Sequence, residues 1–369
     1  MNFDFSDDLK LLRDQTRKFL REHSPTKSAR RILDGEAPYD AALWRRVAEL
    51  GWLGAAIPEE YGGIGLGYEG LCVLAEELGM AVSPIPFSSS IYLAAEAILA
   101  AGSEAQKQAY LPKLAAGERI ACFALAEGPG NPNPTRIMAT VEGGKLSGVK
   151  LPVADGGIAD MAVVAARSEG KVGLFLVELA TPGVTRETLK TIDPSRDHAK
   201  LGFDQVPAEP LGPADGWPIV RRVLDRAAIL FAFEQVGGAG ACLDMARNYA
   251  LERHAFGRPI GSFQAIKHKL ADVYIATELA RSNAYYGAWA LASDAAELPL
   301  AAAAARVSAI EAFHLAAKEN IQTHGGMGFT WAFDCHLYYR RAKQLALAIG
   351  SAPYWKDRLV DELERRNER

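Results

Sequence analysis

The sequence predicts an α+β fold that is mostly α, with an N-terminal helical domain, a middle antiparallel β domain and a C-terminal helical bundle. Three observations predict it. Apolar residues recur at helical spacing through the first hundred or so residues, short β-prone runs follow, and long alanine-rich segments fill the remainder. With 369 residues, 49% of them hydrophobic, the chain exceeds one ordinary core and divides into residues 1–119, 120–214 and 215–369.

The first domain is predicted to consist of helices. The first helix carries apolar residues from Phe5 to Leu20, with Ser6 at its N-cap and Pro25 beyond its end. The other predicted helices are Leu43 to Leu50, Tyr68 to Leu78, Ser89 to Ala101 and Glu104 to Ala116. Residues 55–67, AAIPEEYGGIGLG, form a glycine-rich loop. We interpret it as a surface loop rather than a nucleotide loop, because no β-branched strand precedes it and no acidic ribose partner follows.

The pattern changes after about Ile120. Glycine and proline become frequent, as the many turns of a β domain require, and Gly143-Gly144 is a two-residue hairpin signal. The predicted strands are Ile137 to Glu142, Lys145 to Lys150, Met161 to Ala166, Gly173 to Leu179 and Val184 to Lys190.

Helical patterns return near Trp217. Four long segments rich in alanine, leucine and arginine, with short links between them, predict a helical bundle. They are Val220 to Ala250, Ser262 to Leu291, Pro299 to His324 and Leu337 to Ile349.

Composition and charge exclude several classes of function. The net charge is −4 and the basic residues form no stripe, so we expect no nucleic acid partner. No apolar stretch approaches the length of a membrane span and the acidic N-terminus lacks a signal core, so we expect no membrane partner and a cytoplasmic location. The four cysteines lie far apart and are predicted to be reduced, buried thiols. No histidine spacing suits a metal, so no metal site is expected.

Two segments at the ends of long helical patterns indicate the chemistry. Residues 253–264 read RHAFGRPIGSFQ and residues 322–328 read QTHGGMG. A guanidinium fork, small residues that let backbone N–H groups approach, and amide side chains suit a nucleotide phosphate. The candidate cofactor-binding residues are Arg253, Phe256, Gly257, Phe263, Gln264, Gln322, Gly325 and Gly326.

The ordered spacing R-x-x-F-G-x-P-I-x-x-F-Q, followed by Q-x-x-G-G-x-G, resembles the acyl-CoA dehydrogenase family over nearly the whole chain. The resemblance implies the acyl-CoA dehydrogenase fold, an acyl-CoA substrate, a trans-2-enoyl-CoA product and an electron-transfer flavoprotein as acceptor. In the family these two segments of one subunit contact the adenosine diphosphate half of an FAD seated mainly on the neighbouring subunit. It therefore implies FAD shared across a subunit interface.

The glutamate that removes the α-proton in this family is missing from both of its usual positions. One branch places it in a Y-E-G-T-like segment, which corresponds to residues 348–351 and puts Ile349 there. Another places it on the first bundle helix, where an ungapped count back from Arg253 reaches Ala227. Asp225 is two residues away, and that offset turns a side chain by roughly 200° around a helix. The catalytic residue is therefore unknown from the sequence.

The family's flavin-ring pocket is also incomplete. Its T-E-P-x-x-G-S-D-like turn corresponds to AEGPGNP at residues 126–132, which lacks the Ser-Asp pair, and Pro132 and Pro134 withhold N–H donors. Its K-x-W-I-T-like strand corresponds to KLPVA at residues 150–154. Pro152 and Ala154 replace the aromatic platform and the hydroxyl.

Loss of base, turn and strand together is similar to one subunit of the bacterial heteromeric acyl-CoA dehydrogenases of steroid side-chain catabolism. That resemblance implies a paralogous sister chain that supplies the base, while this chain contributes the FAD phosphate and adenine contacts. Two alternatives stay open. One is a self-sufficient homomeric enzyme with a relocated base, for which Glu127 and Glu234 are candidates, and the other is a non-catalytic structural paralogue.

Overall fold

A computed structural model describes residues 5–367, and the N-terminal part is helical as predicted. Its helices are α1 (Asp7–His23), α2 (Thr26–Leu33), α3 (Ala41–Glu49), α4 (Gly67–Met80), a π-helical segment (Ser88–Ala95) that continues into α5 (Glu96–Ala101), and α6 (Glu104–Ala115). Ser6 caps α1, because its side chain accepts a hydrogen bond from the backbone N–H of Leu9 at 3.3 Å. The short α2 was not predicted, since its eight residues give only about two turns in which a period can show.

The middle domain is built on an eight-stranded sheet with the order β6-β7-β3-β2-β4-β5-β8, and β1 pairs with β4 off this path. The strands are β1 (Ala121–Ala124), β2 (Thr140–Glu142), β3 (Lys145–Ala154), β4 (Met161–Ser168), β5 (Lys171–Glu178), β6 (Val184–Thr188), β7 (His198–Pro207) and β8 (Glu209–Leu211). Gly143 and Gly144 form the predicted hairpin between β2 and β3, both with positive φ.

The sheet is mixed, which corrects the prediction of an antiparallel domain. β1 pairs with β4 in parallel, with Ala121 opposite Met161, and β2 meets β4 in parallel at Thr140 and Arg167. The sequence did not predict β1 because its four residues are all buried and show no alternation.

The C-terminal part is a helical bundle, as predicted. Its helices are α7 (Trp217–Glu252), α8 (Gln264–Ala292), α9 (Leu298–His324), α10 (Cys335–Leu345) and α11 (Ala352–Asn367), and a small hairpin of β9 (His254–Ala255) and β10 (Arg258–Pro259) joins α7 to α8. The helices approach closely: a Cβ added to Gly238 on α7 would lie 2.4 Å from the Phe313 ring on α9. Helix α11, whose buried face is built around Trp355, was not predicted from the sequence.

Helix α7, and α9 together with the 3-10 turn that extends it to Phe329, are long and apolar enough to cross a membrane by length and composition alone. Their most apolar windows are 78% and 61% buried inside the protein, respectively. These two helices therefore form the centre of the bundle. The four cysteines are buried and free, which confirms the prediction of reduced thiols.

Candidate functional site

The fold brings the two predicted nucleotide segments to one end of the bundle. The first follows α7 and runs through the β9-β10 hairpin into the start of α8, while the second follows α9 as a 3-10 turn, Gly325–Phe329. The ring of Tyr249 near the end of α7 stacks on the ring of His324 at the end of α9, with centroids 4.1 Å apart. Segments about seventy residues apart in sequence thus form one surface, which we call the nucleotide surface.

The predicted binding residues are open to solvent on this surface. Arg253, Gln264 and Gln322 are exposed, and Phe256 is 94% exposed. Phe256 also has φ of +52°, a conformation that a residue with a Cβ rarely adopts, and its ring meets the Phe263 ring edge-on with centroids 6.2 Å apart. Phe263 is half-buried.

The glycines of the nucleotide surface leave open space above the backbone. A Cβ added to Gly257, Gly325 or Gly326 would meet nothing within 4 Å, and the first two have positive φ. Such bare backbone lets N–H groups approach a phosphate closely. The nucleotide surface therefore fits the diphosphate half of FAD.

Three further side chains on or beside the nucleotide surface are not among the predicted cofactor-binding residues. The guanidinium of Arg258 lies 4.1 Å from the centre of the Phe263 ring, Phe329 is 85% exposed and Trp331 is also exposed. Arg258 lies inside the 253–264 motif, so its positive charge and its position could have identified it as a candidate from the sequence. Phe329 and Trp331 follow the glycine segment and become candidates through their exposure.

A cleft of about 460 Å³ joins the three segments that the sequence analysis compared with the flavin-ring pocket. The turn around residues 126–133, strand residues Pro152 and Ala154, and residues 347–351 line it together. Ile349, at one family position of the base, is among them, and Leu224 of α7 completes that side. Among the described residues that line the cleft, Glu127 is the only carboxylate.

Both carboxylate oxygens of Glu127 already accept hydrogen bonds within the protein. Its Oε1 accepts hydrogen bonds from Lys150 Nζ at 2.6 Å and from the backbone N–H of Ala139 at 3.1 Å, while its Oε2 accepts one from the N–H of Met138 at 2.7 Å. Burial lowers the pKa of Lys150, although the Glu127 carboxylate opposes this. Glu127 therefore ties the turn to β3, and its geometry does not suit a general base.

Asp225 pairs with Arg358 of α11, with the closest oxygen 2.6 Å from the guanidinium. Burial raises its pKa to about 6, against the opposing effect of Arg358. Ala227, the family position beside it, is fully buried. Asp225 therefore joins α7 to α11.

Glu234 lies in a buried ionic cluster at the junction of the three parts of the chain. It pairs with Arg196 at 2.5 Å and lies 3.7 Å from Arg341, which also pairs with Asp193 at 2.6 Å. All four side chains are buried. Buried charges of this kind are tolerated only when paired, so Glu234 is structural.

The cleft does not fit a flavin ring as well as the nucleotide surface fits a diphosphate. Pro129 and Pro132 in the turn have no N–H to donate, and Pro152 and Ala154 present neither an aromatic face nor a hydroxyl. Asn131 is used inside the protein, since its Oδ1 accepts a hydrogen bond from the backbone N–H of Ser351 at 3.0 Å. The residues described here contain no group of three or more His, Cys, Asp or Glu side chains placed to hold a metal ion.

A helical domain, a central sheet and a helical bundle with a nucleotide surface at one end define the class of flavin-dependent dehydrogenases that act on acyl thioesters. Comparison with known proteins agrees. Residues 6–118 match the acyl-CoA dehydrogenase N-terminal domain and residues 214–359 match the C-terminal domain. The chain belongs to the acyl-CoA dehydrogenase family, whose members are FAD-dependent oxidoreductases.

Relatives and solved structures match this chain over nearly its whole length, and one of those structures is described as a steroid ACAD. The chain is 34% identical to acyl-CoA dehydrogenase IpdE2 of Mycobacterium tuberculosis, over 96% of each chain. Its fold matches the Tcur3481-Tcur3483 steroid ACAD with a TM-score of 0.90 and 33% identity, over 98% of this chain and 99% of the other. It also matches the ChsE4-ChsE5 complex of M. tuberculosis with a TM-score of 0.89 and 28% identity, over 99% of each chain.

Proposed function

We propose that this chain is one subunit of a heteromeric acyl-CoA dehydrogenase. A paralogous sister chain supplies the catalytic base and the flavin-ring pocket, and the nucleotide surface of this chain contacts the phosphates and adenine of the same FAD. The observation that supports this most directly is the cleft, where Ile349 stands at a base position and Glu127 is bound to Lys150 and two backbone N–H groups.

The reaction requires two hydrogens to leave the acyl group. A base takes the α-proton, the β-hydrogen leaves as hydride to the flavin, and a trans double bond forms between the two carbons. In the described part of this chain, the three carboxylates considered as relocated bases, Glu127, Asp225 and Glu234, are all in ion pairs. A base on the sister chain balances the reaction without breaking any of these pairs.

The exposure of the nucleotide surface supports the shared cofactor. Arg253 and Phe256 are exposed, and the Arg253 guanidinium makes no hydrogen bond or ion pair with the described residues. A neighbouring subunit that brings the FAD would cover both. The substrate class proposed is a bulky acyl-CoA of steroid or lipid catabolism, because a solved structure that this chain matches over 98% of its length is described as a steroid ACAD. An electron-transfer flavoprotein is proposed as the electron acceptor, and the location as cytoplasmic.

The test is a visible spectrum of the purified chain, alone and after co-expression with a paralogous chain that has the glutamate and an intact T-E-P-x-x-G-S-D-like turn. We expect little or no flavin on the chain alone and one FAD for each pair of chains in the complex. A yellow chain with near one reducible FAD by itself would support the homomeric alternative. Assembly with no flavin in the complex would support a structural paralogue.

A further inference from the structure

A cationic side chain without a carboxylate partner lines the cleft. Arg136 is exposed, and the described residues offer it no ion pair. Its Nη2 donates a hydrogen bond to the carbonyl oxygen of Pro129, which uses one of its five N–H donors. The guanidinium lies directly over Gly130, where an added Cβ would meet it at 1.9 Å. Arg136 is therefore held against the turn with most of its donors free.

The rest of the cleft divides into an apolar and a polar part. Buried side chains that line it include Leu93, Phe123, Ile137, Leu224 and Ile349. The remaining polar lining comes from side chains nearer the surface, Asn131, Asn133 and Ser351. The volume of about 460 Å³ falls in the range of roughly 300–1,000 Å³ typical of small-molecule sites.

The charges of the cleft leave one positive charge uncompensated. Glu127 and Lys150 neutralise each other at 2.6 Å, and Arg136 is the remaining charged residue in the lining. An anion beside Arg136 would gain charge-assisted hydrogen bonds, while an apolar body attached to it would cover the buried side chains. The complementary ligand is a molecule with a ring or chain at one end and a carboxylate at the other.

We propose that this cleft is a non-catalytic binding site for an amphipathic carboxylate. The inference rests on the proposed function, because the cleft is free for such a ligand only if the flavin ring lies in the sister chain. No bond forms or breaks in the cleft, since the ligand is held by the guanidinium and by apolar contact alone.

The experiment is calorimetric titration of the purified full chain with cyclohexanebutyrate and with its uncharged analogue, cyclohexanebutyramide. We expect the carboxylate to bind about ten- to a hundredfold more tightly than the amide. Arg136→Gln should abolish that difference while leaving amide binding unchanged. Ala348→Trp, at an exposed lining position, should fill the cleft and weaken both ligands.

Arg186→Gln is the matched control. Arg186 is also an exposed arginine of the middle domain that donates to backbone carbonyls, those of Gly157 and Ala159, but it lies outside the cleft lining. Arg186→Gln should leave the affinities for the carboxylate and for the amide unchanged.

Equal affinities for carboxylate and amide, no binding of either, or equal losses in the Arg136 and Arg186 variants would overturn the inference. A parallel titration with FAD distinguishes failure of the carboxylate-site proposal from failure of the proposed function. FAD binding near one per chain, displacing the carboxylate, would overturn both, because the cleft would then be a flavin-ring pocket.

Discussion

Lys150 Nζ lies 2.6 Å from Glu127 Oε1, and this pair fixes the turn at one side of the cleft against β3. Lys150 is fully buried and the Glu127 side chain is only 10% exposed. The backbone N–H groups of Met138 and Ala139 also donate hydrogen bonds to the Glu127 carboxylate. The one carboxylate in the cleft is therefore committed to holding the protein together.

We expect Glu127→Gln to destabilise the chain by roughly 3–5 kcal/mol, because it leaves the Lys150 ammonium buried without a counter-charge. Denaturant unfolding of the chain measures this. The double variant Glu127→Gln with Lys150→Met should recover much of the loss, since it removes the unpaired charge.

The same variant also tests the location of the base. In the assembled complex that retains FAD, Glu127→Gln should keep single-turnover flavin reduction by an acyl-CoA within about tenfold. Removal of the sister chain's glutamate should slow it by roughly a hundred- to ten-thousandfold. Equal slowing by both variants would make Glu127 the base and the chain self-sufficient.

Arg253→Ala should weaken FAD retention by the complex by about 2–4 kcal/mol, because it removes a charge-assisted contact with the diphosphate. Arg253→Lys should restore only part of the lost FAD affinity, since the point charge of lysine cannot form the bidentate contact of the guanidinium. Equilibrium dialysis of FAD measures both. Arg247→Ala is the control, an exposed arginine of α7 paired with Asp244. Unchanged retention in both Arg253 variants would remove this residue from the site.

The sequence predicted most of the long helices because their apolar positions repeat over several turns, as in α1 and α7. It missed β7, although Ala199, Leu201 and Phe203 alternate with more exposed residues and give a usable strand signal. It could not have shown that β1 runs parallel to β4. Pairing direction depends on where the chain returns in space, which four buried residues do not encode.

Part of the candidate site could likewise be predicted from the sequence, and part could not. The motifs around Arg253 and Gln322 could be recognised because each is contiguous in sequence. The roles of the three carboxylates could not, because their partners are remote. Glu127 meets Lys150, Asp225 meets an arginine 133 residues later, and Glu234 meets one 38 residues earlier. Only tertiary packing shows that each carboxylate is already occupied.

The N-terminal domain also holds the loop that follows the nucleotide surface. Asp334 accepts hydrogen bonds from Thr26 Oγ1 and Arg30 Nε, both at 2.6 Å, and Arg30 also donates to the carbonyl oxygen of Trp331. We expect Asp334→Asn to weaken FAD retention by about 1 kcal/mol, roughly fivefold, because the glycine segment loses its anchor. Equilibrium dialysis of FAD against the native and Asp334→Asn complexes, at the same protein concentration, measures this loss of affinity.

Asp294→Asn is the control for Asp334→Asn. Asp294 also pairs with arginines, Arg222 and Arg226, but these lie in the first three turns of α7 rather than on α2. Equal FAD loss in the two variants would show a general effect on stability rather than a local one on the nucleotide surface.

Asp225 should make the stability of the chain depend on pH in a specific window. Burial raises its pKa from the ordinary 3.8 to about 6, so the folded state binds the proton more tightly than the unfolded state. A raised pKa contributes stability that is fully present below about pH 4 and is lost as pH rises through about 6. The two pKa values correspond to roughly 3 kcal/mol of unfolding free energy.

The measurement is the unfolding free energy of the native chain minus that of Asp225→Asn, determined by denaturant unfolding from pH 4 to 7.5. We expect this difference to fall by about 3 kcal/mol between pH 4 and 6.5 and then to level off, because asparagine does not titrate. A difference that stays nearly flat from pH 4 to 7.5, and falls only when the measurement is extended below pH 4, would mean that Arg358, 2.6 Å away, outweighs burial and keeps the pKa below its ordinary value. The pair would then stabilise the contact between α7 and α11 at neutral pH, instead of costing stability there.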